Sequence, residues 1–392
     1  MEATAGMTTT APAGTAPLIV HVVRQFLPNR GGLEDVVANL ARETIRRGFR
    51  VRVVTLDSLF TARDKTLPSR EIIDGIDVVR IPWSGSSRYP IAPQVFRHLG
   101  DADLVHVHAI DFFFDALAIG RVLHRKPMVV TTHGGFFHTQ KYAALKKVWF
   151  RTLTRLSAMN YRCVIGCSTS DIAQFSQIAP NTVLIENGVD IGKFADKASR
   201  TPLRRIVTIG RFSVNKRLDH LLDVMQALAA RHPNWHLDIV GSESDLKADD
   251  LQAEIASRNL NQSVSLHVGI DNEAIRSLIG GASLFASASD YEGFGLVALE
   301  AMSAGLYPVL NANAAYRALA DRQAPVTITD FGNAGKAADA IEAAFNKISG
   351  DPTVMREALM AAARPYSWDH VAGLYIDLYR SLGIPAFRAD AA

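Results

Sequence analysis

The sequence predicts an α/β protein of two domains, each built on a parallel sheet with crossover helices. Three observations carry this. The chain has 392 residues, a length that divides naturally into two domains. Short apolar runs without polar alternation, as in strands buried on both faces, take turns with helical patterns. Several of these runs end in glycine just before a helix, in both halves, although the halves share no sequence repeat. Apolar residues make up 48% of the chain, which suffices for two cores and excludes a disordered chain.

Residues 1–17 are rich in Ala, Thr and Gly, lack the basic and apolar regions of a signal peptide, and are expected to be disordered. A strand is predicted at 18–23, then Gly31-Gly32 and a helix over 33–47. This turn is not G-x-G-x-x-G, which argues against a dinucleotide-dependent oxidoreductase. Further strands are predicted at 50–56, 76–81, 104–108 and 127–132. His106 and His108 alternate with Val105 and Val107 and read as packed strand histidines, because no carboxylate or further histidine lies at ligand spacing. His133 follows the strand 127–132 in T-T-H-G-G. Ligands bind at the carboxyl ends of parallel strands, so His133 is placed to reach a substrate. Strands at 164–167 and 183–185 flank a helix starting at 169. Cys163 and Cys167 are the sole cysteines and read as buried thiols in a reducing compartment.

In the second half, a strand at 205–209 runs into a turn flanked by Arg211 and Lys216 and then a helix from 219. Two cations at a strand-to-helix turn suit a pyrophosphate: Arg forks onto two oxygens and Lys adds a point charge. Strands at 236–240 and 264–268 each end in glycine, at Gly241 and just before Ile270. A strand at 282–288 leads through Glu292-Gly293-Phe294-Gly295 into a helix from Leu296 to about 304. The free amides of that helix start suit a phosphate. Glu300 is the one charged residue between Phe294 and Leu310, and a buried carboxylate there needs a polar partner. A last strand is predicted at 324–328, a helix from about 333, and a Tyr-rich helix over 367–382.

Charge is unevenly divided. Residues 1–195 carry 23 Lys and Arg against 16 Asp and Glu, whereas 196–392 carry 19 against 23. A basic first half points to an anionic surface, membrane or nucleic acid, as partner. The 55 residues between Asp115 and Asp171 contain nine Lys or Arg and no acid. Within them, the stretch from Thr139 to Arg162 sets Lys147, Arg151 and Arg155 on one helical stripe beside Trp149 and Phe150. A basic amphipathic helix of this kind suits an anionic lipid interface. No uncharged apolar run approaches the roughly 18–20 residues needed to span a bilayer.

Taken in order, these motifs resemble the retaining glycosyltransferases of family GT4. The resemblance rests on E-x7-E at Glu292 and Glu300 with Gly-Phe-Gly inside, A-x-x-x-G-x-x-P-V from Ala301, G-R-x4-K at Arg211 and Lys216, T-H-G at His133 and N-G-V-D from Asn187. It runs from about Leu18 to Gly383. It implies the GT-B fold, two Rossmann-like α/β/α domains with parallel sheets facing a central cleft. Residues 18–196 would form the acceptor and membrane-facing domain, 197–365 the donor domain, and 366–392 a helix crossing back to the first. The resemblance also implies roles. Arg211 and Lys216 would hold the donor diphosphate, with the backbone of Gly293, Phe294, Gly295 and Leu296. Glu292 would hold a sugar hydroxyl, Glu300 the ribose, and His133 the transferred sugar. Gly31 and Gly32 would approach the phosphates, and the backbone at Gly241 and Ile270 the base. Neither cofactor nor metal is expected, since cationic side chains take the metal's place; Asp101-Ala102-Asp103 reads as exposed rather than as a metal-binding motif.

Within the family the sequence is most similar to the α-mannosyltransferases of xanthan- and acetan-type exopolysaccharide synthesis. These take mannose from GDP-mannose to a cellobiose on polyprenyl diphosphate, in an α-1,3 linkage. The expected partners are therefore a sugar nucleotide, a lipid-linked acceptor and an anionic membrane, without nucleic acid. The expected place is the inner face of a bacterial plasma membrane, peripherally from the cytoplasm. Three other readings remain open: another donor such as UDP-glucose or UDP-GlcNAc, a nucleotide-sugar epimerase on the same architecture, and a non-catalytic sugar-nucleotide binder. One departure is Tyr307, where many members carry a small residue.

Overall fold

The structure, a computed structural model, describes residues 16–134 and 149–385. The chain divides into two compact units, Met1–Gly188 with Trp368–Ala392, and Val189–Ser367.

The first unit contains β1 (Leu18–Val22), β2 (Arg50–Leu56), β3 (Ser58–Leu59), β4 (Ala62–Thr66), β5 (Arg70–Ile73), β6 (Ile76–Ile81), β7 (Ser84–Ser86), β8 (Tyr89–Ile91), β9 (Leu104–His108), β10 (Met128–Thr131), β11 (Cys163–Gly166) and β12 (Thr182–Leu184). Eight of them form one sheet in the order β12-β11-β10-β9-β1-β2-β6-β5. Every neighbour pair is parallel except β5 against β6. The central strands β1 and β9 are buried at every residue, and apart from His21, His106 and His108 their sequences are apolar. The ribbons β3–β4 and β7–β8 and the antiparallel edge strand β5 were not expected. Their sequences, such as ARDKT and SGS, are exposed and polar and carry no burial pattern to read.

The chain lays down β1, β2 and β6 in one direction, then returns to place β9 on the other side of β1. The loops after β1 and β9 therefore leave the sheet side by side, at the kind of crevice where doubly wound sheets bind ligands. Helix Trp368–Ser381 closes this unit, burying Val371, Tyr375, Ile376 and Tyr379 in one cluster with Ile19, Leu104 and Val129. Tyr379 Oη lies 2.7 Å from His106 Nδ1.

The second unit contains β13 (Arg205–Ile209), β14 (His236–Gly241), β15 (Val264–Val268), β16 (Leu284–Ser287), β17 (Tyr307–Asn311) and β18 (Thr327–Thr329). They form one parallel sheet in the order β15-β14-β13-β16-β17-β18. Counted within the unit this is 3-2-1-4-5-6, the order of dinucleotide-binding sheets, with the reversal between β13 and β16. Tyr307 is buried, its hydroxyl 3.2 Å from Thr327 Oγ1.

The structure moves two expected boundaries. Residues 189–196 belong to the second unit, because Val189 N–H donates to Tyr366 O at 2.7 Å, Phe194 lies in the second core, and Asp196 accepts from Arg356 Nε at 2.7 Å. The strand expected at 324–328 begins at Thr327, because Val326 N–H turns back onto Ala324 O at 2.8 Å. Among the described residues no helix is long and apolar enough to cross a membrane.

The Tyr379–His106 bond joins the last helix to the buried sheet. Tyr379→Phe removes its hydroxyl and leaves His106 Nδ1 buried without that partner. We expect a loss of about 1–3 kcal/mol, read as a lower urea midpoint by far-UV dichroism; an unchanged midpoint would remove this bond from the account.

Candidate active site

The reversal between β13 and β16 brings together two motifs 76 residues apart, at Lys216 and Glu292. After β13 the chain passes Gly210, Arg211 and the turn Val214–Lys216, then closes with Arg217 in the left-handed region at φ 48°. After β16 it passes Ser289 to Glu292 and enters helix Leu296–Ala304. The loops are stitched to each other. Asp290 N–H donates to Asn215 O at 2.9 Å, Asn215 Nδ2 donates to Tyr291 O at 3.1 Å, and the Arg217 guanidinium reaches both Asp219 and Asp290. These bonds set Lys216 Nζ 2.6 Å from Glu292 Oε1.

Glu292 also accepts from Tyr316 Oη at 3.3 Å, and Tyr316 Oη lies 2.9 Å from Ser287 Oγ, whose hydroxyl can donate to it. Burial, and then the charge of Glu292, hold the Tyr316 phenol well above its ordinary range, so it acts as a donor to the carboxylate. Lys216 has three donors and spends one on Glu292. Arg211 is exposed and makes no hydrogen bond or ion pair with a described residue. A pocket lined by Gly210, Arg211, Phe212, Lys216, Ser287 and Ser289 opens at this point.

The helix start has the expected form. Gly295 occupies the N-cap at φ 79° with no side-chain cap, leaving first-turn amides unclaimed by any side chain. A Cβ at Gly295 would lie 2.9 Å from the Tyr316 ring, so glycine answers both the backbone and the neighbour. Gly241 ends β14 with its α-carbon against Gly210 O, where an added Cβ would sit at 1.8 Å. Ile270 follows β15 and packs partly on the core. Both lie at the same end of the sheet as Arg211, one and two strands further from the reversal.

Glu300 has a partner that the sequence reading did not supply. Lys193 Nζ stands 3.7 Å from its carboxylate. Burial raises the Glu300 pKa above the usual carboxylate range, Lys193 opposes that shift, and Asp190 adds to it.

In the first unit, Gly31 caps helix Gly32–Arg46 in extended backbone at φ −160°, a conformation open to any residue. The Glu34 carboxylate folds back over this start, 2.6 Å from where a Gly31 Cβ would be, and accepts from Asn29 Nδ2 at 2.8 Å. The helix start expected to meet phosphates thus carries an acid of its own in this structure.

His133 sits beyond β10 in the left-handed region, φ 54°, a strained state for a non-glycine residue. Its ring does not stand free. Nε2 lies 2.9 Å from His108 Nδ1, and Nδ1 lies 3.9 Å from Cys167 Sγ. His108 Nε2 continues to His21 Nδ1 at 2.9 Å. His106 bonds Tyr379 and Thr131 Oγ1, each at 2.7 Å.

The reading that no further histidine stands near His106 and His108 is therefore corrected. Parallel pairing in register places His21 of β1 opposite His106 of β9, a contact invisible at 85 residues' separation. His21, His106 and His108 lie close enough for a cation to bridge. Yet His106 has both nitrogens bonded, to Tyr379 and Thr131, and His21 and His108 bond each other. Burial pulls His21 and His133 down to about 3 and holds His106 and His108 well below the usual range. The three neutral rings of His21, His108 and His133 each own one proton, so the bonds from His21 to Cys167 must all point the same way along the row. Burial pushes the Cys167 thiol up to about 12, which leaves it protonated and inert as a nucleophile.

Sequence reasoning missed Tyr316, Asn311, Asn313, Asn215 and Arg217, which fix the Glu292 loop; Asn313 Nδ2 holds Ser289 O at 2.9 Å. The signal was present as N-A-N-A-A-Y after the apolar run Leu306–Leu310, since Asn after such a run is a turn and cap residue. It also missed Asp111. This residue caps helix Phe112–Ile119 at the end of β9, and burial raises its carboxyl to about 7.

Comparison with known proteins agrees with this geometry. The family described as Glycosyl transferases group 1 matches residues 192–363, and Glycosyltransferase Family 4 matches 30–193. A GDP-mannose:cellobiosyl-diphosphopolyprenol alpha-mannosyltransferase of Xanthomonas campestris is 44% identical over 371 residues, covering 94% of this chain and 98% of that protein. Its namesake in Komagataeibacter xylinus is 42% identical over 366 residues, covering 93% of each. A phosphatidyl-myo-inositol mannosyltransferase of Mycobacterium tuberculosis is 28% identical over 388 residues, covering 92% and 96%. Among solved structures, Anabaena HepE in complex with UDP superposes with a TM-score of 0.67 at 19% identity, covering 93% of this chain and 100% of that one. A glycosyltransferase of Rickettsia africae gives 0.69 at 16%, covering 94% and 99%. These neighbours show the GT-B fold.

The histidine row makes a prediction for pH. In the unfolded chain each histidine takes a proton near its ordinary value, about 6.5, whereas in the fold His21, His106 and His108 stay neutral. Below about pH 6.5 the unfolded chain therefore binds more protons, and stability falls with falling pH. Asp111 opposes this with a single proton, since its folded value near 7 exceeds its unfolded one. The histidines outnumber it. We expect the urea midpoint of the first unit to drop between about pH 6.5 and 4.5, at up to roughly 1.4 kcal/mol per pH unit for each net proton. A midpoint that does not fall across that range would show that the rings are not neutral in the fold.

Proposed function

The chain belongs to glycosyltransferase family 4, and on that premise we propose that it transfers mannose from GDP-mannose, with retention, to a cellobiose carried on polyprenyl diphosphate, in an α-1,3 linkage. The single observation that carries the chemistry is the 2.6 Å pairing of Lys216 with Glu292 at the reversal of the donor-type sheet, beside an exposed Arg211. The relatives at 42–44% identity support the donor and acceptor.

In this reading Arg211, Lys216 and the first-turn amides of helix Leu296–Ala304 receive the diphosphate. They stabilise charge as it grows on the leaving oxygen, by groups already in place. Glu292, oriented by Lys216 and Tyr316, accepts from a hydroxyl of the mannosyl group. Glu300 accepts from the ribose. The bond from the anomeric carbon to phosphate oxygen breaks, and the acceptor hydroxyl attacks from the same face. Its proton passes to the departing phosphate, so no protein base is required. The two cations stand where a metal ion would, and neither metal nor other cofactor takes part. The acceptor is borne by a lipid, so the enzyme meets it peripherally, at the inner face of the plasma membrane. The cationic stretch from Thr139 to Arg162 supports that surface contact; of it, 149–162 are among the described residues.

Two experiments test this. Purified protein incubated with labelled GDP-mannose, UDP-glucose or UDP-GlcNAc and polyprenyl-linked cellobiose should label the lipid from GDP-mannose alone. Labelled glucose or N-acetylglucosamine in the lipid would refute the donor, and turnover of a sugar nucleotide without acceptor would indicate an epimerase. Calorimetry with GDP should show Lys216→Ala and Arg211→Ala each weakening binding by about 1.5–3 kcal/mol, the range for a hydrogen bond to a charged group. Unchanged affinity in both would move the diphosphate elsewhere.

A further inference from the structure

The three most exposed large apolar side chains among the described residues lie within five consecutive positions. Ile119 ends helix Phe112–Ile119, and Val122 and Leu123 follow in the turn Arg121–His124; they are 70%, 76% and 79% exposed. A single exposed aliphatic residue is ordinary, but a group of three is the kind of patch that marks an interaction surface.

The projection is built rather than frayed. Gly120 passes so close to Phe96 that a Cβ there would lie 2.3 Å from the ring, so the chain can turn only at a glycine. Arg125 closes the turn in the left-handed region at φ 54°. The His124 ring bonds on both sides, Nε2 to Leu117 O at 3.0 Å and Nδ1 to Lys126 N–H at 3.1 Å. The turn thus holds its apolar side chains outward against the hydrophobic effect.

Its rim has one sign. Arg121, Arg125 and Lys126 make no ion pair with a described residue, and no Asp or Glu occurs between 116 and 170. The next crossover, from β10 to β11, runs the same way across the sheet as that from β9 to β10, so right-handed connections put both on one face. They pack together there: Ser157 Oγ donates to Asp115 Oδ1 at 2.6 Å and Tyr161 Oη to Phe114 O at 2.8 Å. This second segment adds exposed Leu156, Met159 and Arg155.

We propose that this face docks on an anionic lipid bilayer, with Ile119, Val122 and Leu123 wedged among the headgroups. The inference rests on the lipid-borne acceptor of the preceding reading. Charge complementarity commits it to lipid: cations without a single interspersed acid fit a continuous anionic surface.

The test is sedimentation of the full chain with phosphatidylglycerol-containing vesicles and with neutral phosphatidylcholine vesicles. The combined Ile119→Ser, Val122→Ser, Leu123→Ser variant changes exposed side chains and should keep the wild-type thermal midpoint. We expect it to lose at least about tenfold in partitioning, the scale of withdrawing one aliphatic side chain from an apolar phase. Arg121→Glu with Arg125→Glu should lower binding to anionic vesicles alone, in a manner erased by high salt. Wild-type partitioning of the serine variant would overturn the proposal. So would a concentration-dependent dimer that the serines dissolve, which would assign the face to a second copy. Transfer to a short-chain, detergent-dispersed acceptor keeps the two readings apart. The serine variant should retain it, whereas its absence in wild type would strike the proposed reaction and leave the vesicle result standing.

Discussion

Lys216 and Glu292 meet because a parallel sheet changes direction. Strands β13 and β16 are hydrogen-bonded neighbours although more than 70 residues separate them, and the loops leaving their carboxyl ends have nowhere to go but past each other. Everything chemical in the second unit depends on that adjacency. Arg217 and Asn215 then tie loop to loop, and Asn313 and Tyr316 brace the same loop from beyond β17. A carboxylate and an ammonium at 2.6 Å are partly neutralised by each other, which makes them affordable in a half-buried site before any ligand arrives. Arg211, outside that pairing, keeps its full charge for a substrate.

The first unit repeats the logic with a different filling. Its reversal lies between β1 and β9, and what converges there is a row of neutral imidazoles rather than an ion pair. Burying His21, His106 and His108 beside a half-buried His133 is tolerable because almost every ring nitrogen is bonded; His21 Nε2 is the exception among them. A row bonded from ring to ring is stiff, and stiffness is what a left-handed His133 requires. The strain of that residue, and of Ala109 at φ 75° on the adjoining strand end, is held by the surrounding network. The ring of His133 serves that network in this structure, so on the proposed reaction a contact to sugar from its nitrogens requires the row to open.

Much of this was legible in the sequence, for reasons that differ by element. Strands such as β2, β9, β13 and β15 were readable to the residue because each carries a core of β-branched and aliphatic residues, buried in β2, β9 and β13 and half-buried along β15, with only scattered polar residues between. The exposed ribbons β3–β4 and β7–β8 were not, since pairing between solvated strands leaves no apolar period. Within the site, Glu300 stood out as the one charge in an apolar run, Arg211 and Lys216 as cations at a strand-to-helix turn, and Glu292 as the acid beside Gly-Phe-Gly. Their positioning residues did not. Tyr316 and Asn313 are ordinary helix and cap residues until the fold places them against Glu292 and Ser289, and Lys193 is an ordinary loop cation until it faces Glu300. His21 shows the limit most clearly: one histidine in an apolar strand becomes part of a three-ring row, beside His106, only through a parallel register.

The two glutamates of the E-x7-E pattern differ in how completely the fold satisfies them. Glu292 has two partners, Lys216 at 2.6 Å and Tyr316 at 3.3 Å, and its position is fixed in advance. Glu300 faces one cation at 3.7 Å, longer than a good charge-assisted bond, and burial raises its pKa against that weak support. A carboxylate in that state gains most from neutral donors brought close, because hydroxyl bonds add stabilisation without the cost of burying a second charge. A ribose diol offers two such donors from one rigid ring. On the proposed reaction, Glu292 is therefore a positioned instrument and Glu300 an incomplete one, finished by the nucleotide. The distinction follows from the helix itself. Glu292 precedes its first turn, where loop bonds reach it, whereas Glu300 lies on the second turn, where the neighbours are Ala298, Leu299, Ala301 and Met302 and only a ligand or Lys193 can answer it.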